Sequence, residues 1–220
     1  MEAMLTLLAH YGPDILSGFG ITVLSWVGAI ALGMVLGFLI AVVQLSAPLW
    51  VRALLRIYIE ILRTVPFLVL LFVLYYGGPY FGVSLQALDA GIVSLGVYGS
   101  AYFAEIFRSG FAAVPKGHIE AADCLGISRT ATVLRIQLPQ MLVIIVPSLV
   151  NMIIILSKET SVLSIVTVPE LTAVLTQIGS EQFVYAQTLL VLCACYLLIV
   201  GVTQKLGSWA EARIGRHLAR

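Results

Sequence analysis

Charged residues are so sparse along this chain that the gaps between them mark its elements. Asp14 and Arg52 enclose 37 uncharged residues, Arg63 and Asp89 enclose 25, Arg135 and Lys158 enclose 22, and Glu181 and Lys205 enclose 23. A helix needs about 20 apolar residues to cross the hydrocarbon core of a bilayer, so each of these gaps predicts a membrane span. A further gap, 90–104, holds 15 residues. It makes a span only if its helix continues through Glu105 and Arg108, which share one helical face and can pair near the headgroups. The pattern predicts an all-α polytopic membrane protein of about five transmembrane helices, at roughly 17–45, 64–85, 88–112, 141–162 and 183–205.

The segments between the gaps carry their own signals. In 47–63, Trp50, Leu54, Leu55 and Ile59 are interleaved with Arg52, Arg56 and Glu60, which suits a helix leaving the membrane interface. Tyr75, Tyr76, Tyr80 and Phe81 at the far end of the second span read as an aromatic belt. Gly33 and Gly37 form a small-xxx-small pair that lets helices approach closely, either within the subunit or at an interface between subunits. The longest polar interlude is 115–140. Pro115 and Gly117 open a short helix there, Gly126 stands where a left-handed C-cap would close it, and Ser128 can cap the next. Pro139, with no N–H to donate, is expected to stop or bend that second helix. Together these predict a helix-turn-helix elbow.

Composition strengthens the membrane reading. Of 220 residues 60% are hydrophobic and only 10% charged, against about 25% charged in soluble domains. A net charge of +1 gives no basic face for nucleic acid. With five spans, one side of the membrane collects 11 of the 12 Lys and Arg: Arg52, Arg56, Arg63, Arg108, Lys116, Arg129, Arg135, Lys205, Arg213, Arg216 and Arg220. Lys158 alone falls on the other side, with Glu2, Asp14, Asp89, Glu159, Glu170 and Glu181. The positive-inside rule then puts the N-terminus outside and the C-terminus and 115–140 in the cytoplasm. The first residues lack the Lys or Arg of a signal peptide, so the first span is expected to stay in the mature protein. No repeat or linker divides the chain, and 1–220 reads as a single transmembrane domain.

Little in the sequence can perform chemistry. Cys124, Cys193 and Cys195 fit neither a metal spacing nor a disulfide framework and read as small core residues. His10, His118 and His217 fall in polar ends or loops and read as solvated or interfacial. No Gly-Lys dipeptide occurs, so the phosphate-cradling Gly-x4-Gly-Lys-Ser/Thr loop is absent. An energy source must be a partner or an ion gradient. An ion-coupled secondary transporter would be expected to show inverted repeats, which are not visible here.

The interlude also carries a resemblance. Glu120-Ala121-Ala122, Gly126 after three residues, Ile136 after nine more, and Leu138-Pro139 resemble the cytoplasmic signature of permease subunits of ATP-binding-cassette (ABC) importers. Arg63-Thr64-Val65-Pro66, Ala101-Tyr102-Phe103-Ala104-Glu105-Ile106-Phe107-Arg108 and Lys158-Glu159-Thr160-Ser161 are similar to the polar amino-acid branch, whose members import amino acids and opines. The likeness covers about 17–205. It departs at Ser109, where a second glycine is expected, and at Glu159, where an aspartate is usual.

The resemblance implies a type I importer permease fold in a bacterial inner membrane. It also implies a second permease subunit, identical or not, a pair of ATPase subunits that bind the ATP, and an extracytoplasmic amino-acid-binding protein. No cofactor of the chain's own, and no enzymatic activity, is implied. Glu120, Ala121, Ala122 and Gly126 are expected to dock on the ATPase, with the alanines keeping one face small and Glu120 meeting an arginine. Lys158 and Glu159 matter because a charge at mid-membrane costs about 2.5–3.5 kcal/mol. If the fourth span starts at Pro139, a rise of about 1.5 Å per residue carries Glu159 roughly 30 Å, to the outer surface. If it starts at Pro147, Glu159 lies near mid-membrane, and with Thr160, Ser161 and Asn151 it can line a substrate cavity. Lys158 then either neutralises Glu159 or meets a substrate carboxylate. A structural role for the pair, or a permease that contributes helices without touching substrate, remains the alternative.

Overall fold

The computed structural model describes residues 2–215. Its described residues form helices joined by short turns, with no strand. The first helix, α1, runs unbroken over Glu2–Ser46, 45 residues, with Pro13 inside it. At about 1.5 Å per residue that is about 67 Å, more than twice the roughly 30 Å of the hydrocarbon core. The added length, absent from the expected 17–45, packs on the far end of the molecule. There Leu7 and Ile15 join Leu171, Leu175 and Ile178 of α8 (Leu171–Gln182) and Val191 of α9 (Tyr185–Gly215) in a small apolar core.

The second span is the broken one. An amphipathic helix, α2 (Leu49–Thr64), ends because Pro66 forces Val65 into extended geometry, φ −77° and ψ 130°. The chain turns by 107° into α3 (Phe67–Phe72), which continues through a π turn, Val73–Gly77, and a 3-10 turn, Gly78–Phe81. This run is shorter than the expected 64–85, and counts as a span only together with α2. Tyr80 and Phe81 at its end are 90% and 86% exposed, as a belt of ring side chains at an interface requires.

The short third gap becomes a secure helix instead. α4 covers Ala87–Ala113, 27 residues, and continues through Glu105 and Arg108, whose side chains pair as the spacing predicts. It packs chiefly on α1 and α7. The small pair on α1 serves contact within the subunit: a Cβ on Gly33 would stand 3.0 Å from the Gly96 carbonyl, and one on Gly37 2.6 Å from Phe103 Cβ. Phe103, Leu71, Leu95, Met141, Leu156 and Leu163 are fully buried around this seam.

Pro139 does not stop the chain. Short helix α6 (Arg129–Thr132) passes through a π turn, Val133–Gln137, into α7 (Leu138–Glu159). In that turn the Leu138 N–H reaches back to the Val133 carbonyl, a five-residue step in place of the usual four. The slip falls just before Pro139, which occupies the first turn of α7, where its missing N–H costs least. Pro147 lies inside α7, so the start at Pro147 is excluded. Physically, packing of Met141 and Ile145 against α4 holds the turn before Pro147 helical.

The cysteines depart from the core reading: Cys124 and Cys193 are exposed and Cys195 is half-buried. In a membrane protein an apolar run has an exposed side as well as a buried one, and Cys193 lies on the former. His10 is exposed against the Tyr11 ring, and His118 sits on a helix, α5 (Lys116–Cys124), rather than in a loop. His217, Arg216 and Arg220 lie outside the described residues.

Candidate functional site

Two places bring the sequence candidates into view. The first is the elbow between α4 and α7. Val114 and Pro115 leave α4 in extended geometry, and α5 follows. Its end is a Schellman motif. Gly126 N–H donates to the Asp123 carbonyl (3.0 Å), Ile127 N–H donates to the Ala122 carbonyl (3.0 Å), and Gly126 takes φ +69°. Ser128 Oγ then accepts the Ala131 N–H as N-cap of α6. Two further bonds fasten the elbow to the spans: Arg129 Nη2 donates to the Leu45 carbonyl at the end of α1 (3.2 Å), and His118 Nδ1 bonds Gln140 Oε1 of α7 (2.7 Å).

The elbow's outward face differs in detail from the expected one. Glu120 and Ala121 are exposed, but Ala122 is 1% exposed and faces the chain's own interior. Its methyl group is small so that α5 can lie on its own protein. Leu125, 77% exposed, takes the apolar place on the outside. Sequence reasoning passed over Leu125; the signal was a leucine directly before the capping glycine, where the motif's usual apolar contact uses the residue after it.

The second place is the opposite end of α7. Glu159 is its last residue, about 30 Å along the axis from Pro139. It is half-buried, one turn beyond Leu156, whose side chain packs on α4 at Gly99, next to Tyr98. The five candidates do not form one cluster. Asn151 and Lys158 are exposed. Thr160 is fully buried, donates to the Ser157 carbonyl (2.7 Å) and meets Tyr196 of α9 (3.3 Å), so its hydroxyl is used inside the bundle. Ser161 donates to the Lys158 carbonyl (2.8 Å). Lys158 and Glu159 form no ion pair; among the described residues the one ion pair is Arg108 with Glu105. Neighbours in sequence diverge here because consecutive helical side chains point about 100° apart.

What the structure does place near Glu159 is a polar and aromatic row on α4. Tyr98 hydroxyl bonds Tyr102 hydroxyl (3.1 Å), Phe67 stacks on Tyr98 (5.4 Å), and the Arg63 guanidinium lies 5.4 Å above the Tyr102 ring. Tyr98, Tyr102 and Glu105 follow at i, i+4 and i+7, one face of the helix. Tyr98 and Arg63 were not assigned a role from sequence; the Tyr98–Tyr102 spacing was readable, but not that Arg63 of α2 meets it.

Beyond that row, Glu170 between the last two spans is fully buried, accepting the N–H groups of Thr172 (2.9 Å) and Ala173 (2.8 Å) as N-cap of α8. Burial pushes its carboxyl above the usual range, against the bonds to Thr172 and Ala173 that lower it. The described residues hold no group of His, Cys, Asp or Glu able to bind a metal.

Helical spans around a tight α1–α4–α7 seam, with a capped elbow at one end, define the chain as a permease of the type I importer fold. Residues 33–215 match the family described as binding-protein-dependent transport system inner membrane component. The chain belongs to that family and is a multi-pass inner-membrane transport subunit. It is 35% identical over 94% of its length, and 91% of the relative's, to the "Probable amino-acid ABC transporter permease protein YckA" of Bacillus subtilis (strain 168). It is 34% identical over 84% of its length, and 85% of the relative's, to the "Probable glutamine ABC transporter permease protein GlnM" of the same organism. Among solved structures, a chain of an amino acid ABC transporter crystallised with histidines superposes with a TM-score of 0.86 at 32% identity, covering 94% of this chain and 96% of that one. The MetNI methionine transporter, at 22% identity and a TM-score of 0.70, shares the fold. Family members are permease components that work with a separate ATPase and a binding protein.

Proposed function

We propose that the chain lines the pathway of an ATP-driven importer for polar or charged L-amino acids, with the row Glu159, Tyr98, Tyr102 and Arg63 contacting the substrate. The observation that carries this is the row itself. An amino acid presents an ammonium and a carboxylate on one carbon, and the row offers a carboxylate at one end, a guanidinium at the other and hydroxyls between. Tyr98 to Tyr102 spans about 6 Å of helix axis, the scale of the ammonium and carboxylate of one amino acid. Lys158 and Ser161 adjoin Glu159 at the outer end of the row, where Lys158 can meet a carboxylate on entry; Asn151, about 12 Å further along α7 toward the elbow, stands apart from it. Relatives named for amino acids and for glutamine support the same cargo class.

At the other end, Glu120, Ala121 and Leu125 on the outward face of the elbow dock on the ATPase, with Gly126 setting the turn. The bias of Lys and Arg supports a cytoplasmic elbow and an outside N-terminus. Two permease subunits with two ATPases alternate between inward- and outward-open states. ATP shifts that equilibrium because it alters which contacts the elbows make in each state.

Reconstituted permease, ATPase and binding protein, tested with a panel of labelled L-amino acids and opines, should give ATP-dependent uptake selective for one charge class. Uptake that follows an ion gradient without ATP would defeat the proposal. Glu159→Gln should raise the half-saturating concentration at least tenfold with complex yield unchanged; unaltered affinity and rate would remove Glu159 from the site.

A further inference from the structure

At the elbow end of the bundle a cavity of about 600 Å³ opens between α2 and the ends of α1 and α4, within the roughly 300–1,000 Å³ typical of small-ligand sites. α2 walls it as part of the bundle: Ile59 and Leu62 are buried with Ala101 and Ala104 of α4, and the Tyr58 hydroxyl lies 2.8 Å from Ser100 Oγ. Arg52, Arg56, Glu60 and Arg63 line the cavity at i, i+4, i+8 and i+11, one face of the helix. Arg63, resting on Tyr102, ends the polar row and begins this lining. On α4 the face that carries Tyr98 and Tyr102 likewise continues into the cavity as Glu105 and Ala112. The cavity is therefore the elbow-side continuation of the row.

Its charges are only partly spent on one another. Arg108 pairs with Glu105, and Arg52 donates its Nε–H to the Ala47 carbonyl. Arg56 and Glu60 stand four residues apart, the spacing of a helical ion pair. Yet neither side chain makes an ion pair or a hydrogen bond among the described residues. Gln44, at the cavity wall, holds Oε1 buried without a partner. An α-amino acid matches this inventory. Its carboxylate suits the guanidinium of Arg56 and the remaining N–H groups of Arg52, and its ammonium suits Glu60 and the orphaned Gln44 oxygen. A bare anion would leave Glu60 and Gln44 unmatched.

Given the import function and cytoplasmic elbow proposed above, on which this rests, we infer that the cavity is a second amino-acid subsite on the release side of the pathway. It is filled as the substrate leaves Tyr102 and Arg63, and the same amino acid can re-enter it from the cytoplasm.

The test is uptake into proteoliposomes carrying the permease–ATPase complex, with substrate-loaded binding protein outside and ATP inside. Unlabelled L-glutamine, L-arginine or L-glutamate, whichever the complex imports, is preloaded inside. Internal amino acid should inhibit wild-type uptake. Arg56→Gln and Glu60→Gln should each raise the inhibitory internal concentration about tenfold, the loss of one charge-assisted bond, with the outside half-saturating concentration unchanged. Arg56→Lys should keep most of the inhibition. Lys205→Gln, which removes an exposed cation of α9 outside the cavity, should match the wild type. No internal inhibition of the wild type, or equal inhibition of wild type and Arg56→Gln, would overturn the subsite and leave the row, tested from outside by Glu159→Gln, standing. Equal inhibition by internal sodium acetate would overturn the amino acid as occupant in favour of a simple anion. Absence of ATP-driven uptake by the wild type would sink the import function and this subsite with it. Since Arg56 and Glu60 are exposed, their replacement should not impair folding, and unchanged thermal unfolding of the complex checks this.

Discussion

Gly110 near the end of α4 and Gly126 in the elbow stand on either side of the same bend. A Cβ on Gly110 would lie 2.5 Å from Met141 Cγ and closer still to Ile145 Cγ2, in the seam between α4 and α7. A Cβ on Gly126 would meet nothing within 4 Å, but the residue takes φ +69°. The first glycine is required by space and the second by backbone angle. In the bundle, contact is close, buried and within the chain; in the elbow, shape is set locally by caps and the outer surface is left free. That division suits a part that must hold its own form while presenting a face to another protein.

Three substitutions bear on this comparison, taken in order of their effect on the permease's own stability. Gly110→Val should be the most damaging, exceeding the about 1–3 kcal/mol of ordinary overpacking because both opposing atoms belong to buried side chains. It should abolish the monodisperse peak in detergent; a wild-type elution profile and melting temperature would mean that the seam is looser than described. Gly126→Val should cost about 1–2 kcal/mol, the strain of a β-branched side chain in left-handed geometry. Melting should fall by only a few degrees while recovery of the ATPase drops sharply, and loss of both together would erase the distinction between the two regions. Glu120→Arg should leave melting unchanged, because the side chain is exposed. It should remove the ATPase from pull-downs by putting a cation where a carboxylate is expected to meet one; normal complex yield with normal uptake would end the docking proposal.

Much of the fold was legible in the spacing of charges. Few charges tolerate hydrocarbon, so uncharged runs report spans whatever the packing, and the Glu105–Arg108 spacing showed that the third run continues. The caps of the elbow were equally readable, since Gly126 and Ser128 act through their own backbone. What escaped depended on packing. The break at Pro66 leaves the second span short because the 107° bend takes α2 out of line with α3. Pro147 is a fair first residue for a helix, yet α7 passes through it because the turn before it is held against α4. In the candidate site, Thr160 and Ser161 were read with Glu159 because they follow it in the chain. The partners that count, Tyr98 and Arg63, come from α4 and the end of α2, and only the folded chain brings them to one face.

The π turn Val133–Gln137 sets a rotational phase. A π turn takes one additional residue into a single helical turn, so α7 keeps about the rotational phase that a regular helix with one residue fewer would give it. Regular α geometry over the same residues, with no turn to absorb the extra one, would swing everything beyond it by about 100°. Glu159 would then face away from Tyr98, and Met141 and Ile145 would leave Gly110. Length in this short segment is thus a setting of angle: it aligns the outer polar row with the elbow some 30 Å away, by the rise of about 1.5 Å per residue, and neither end can be re-registered without the other.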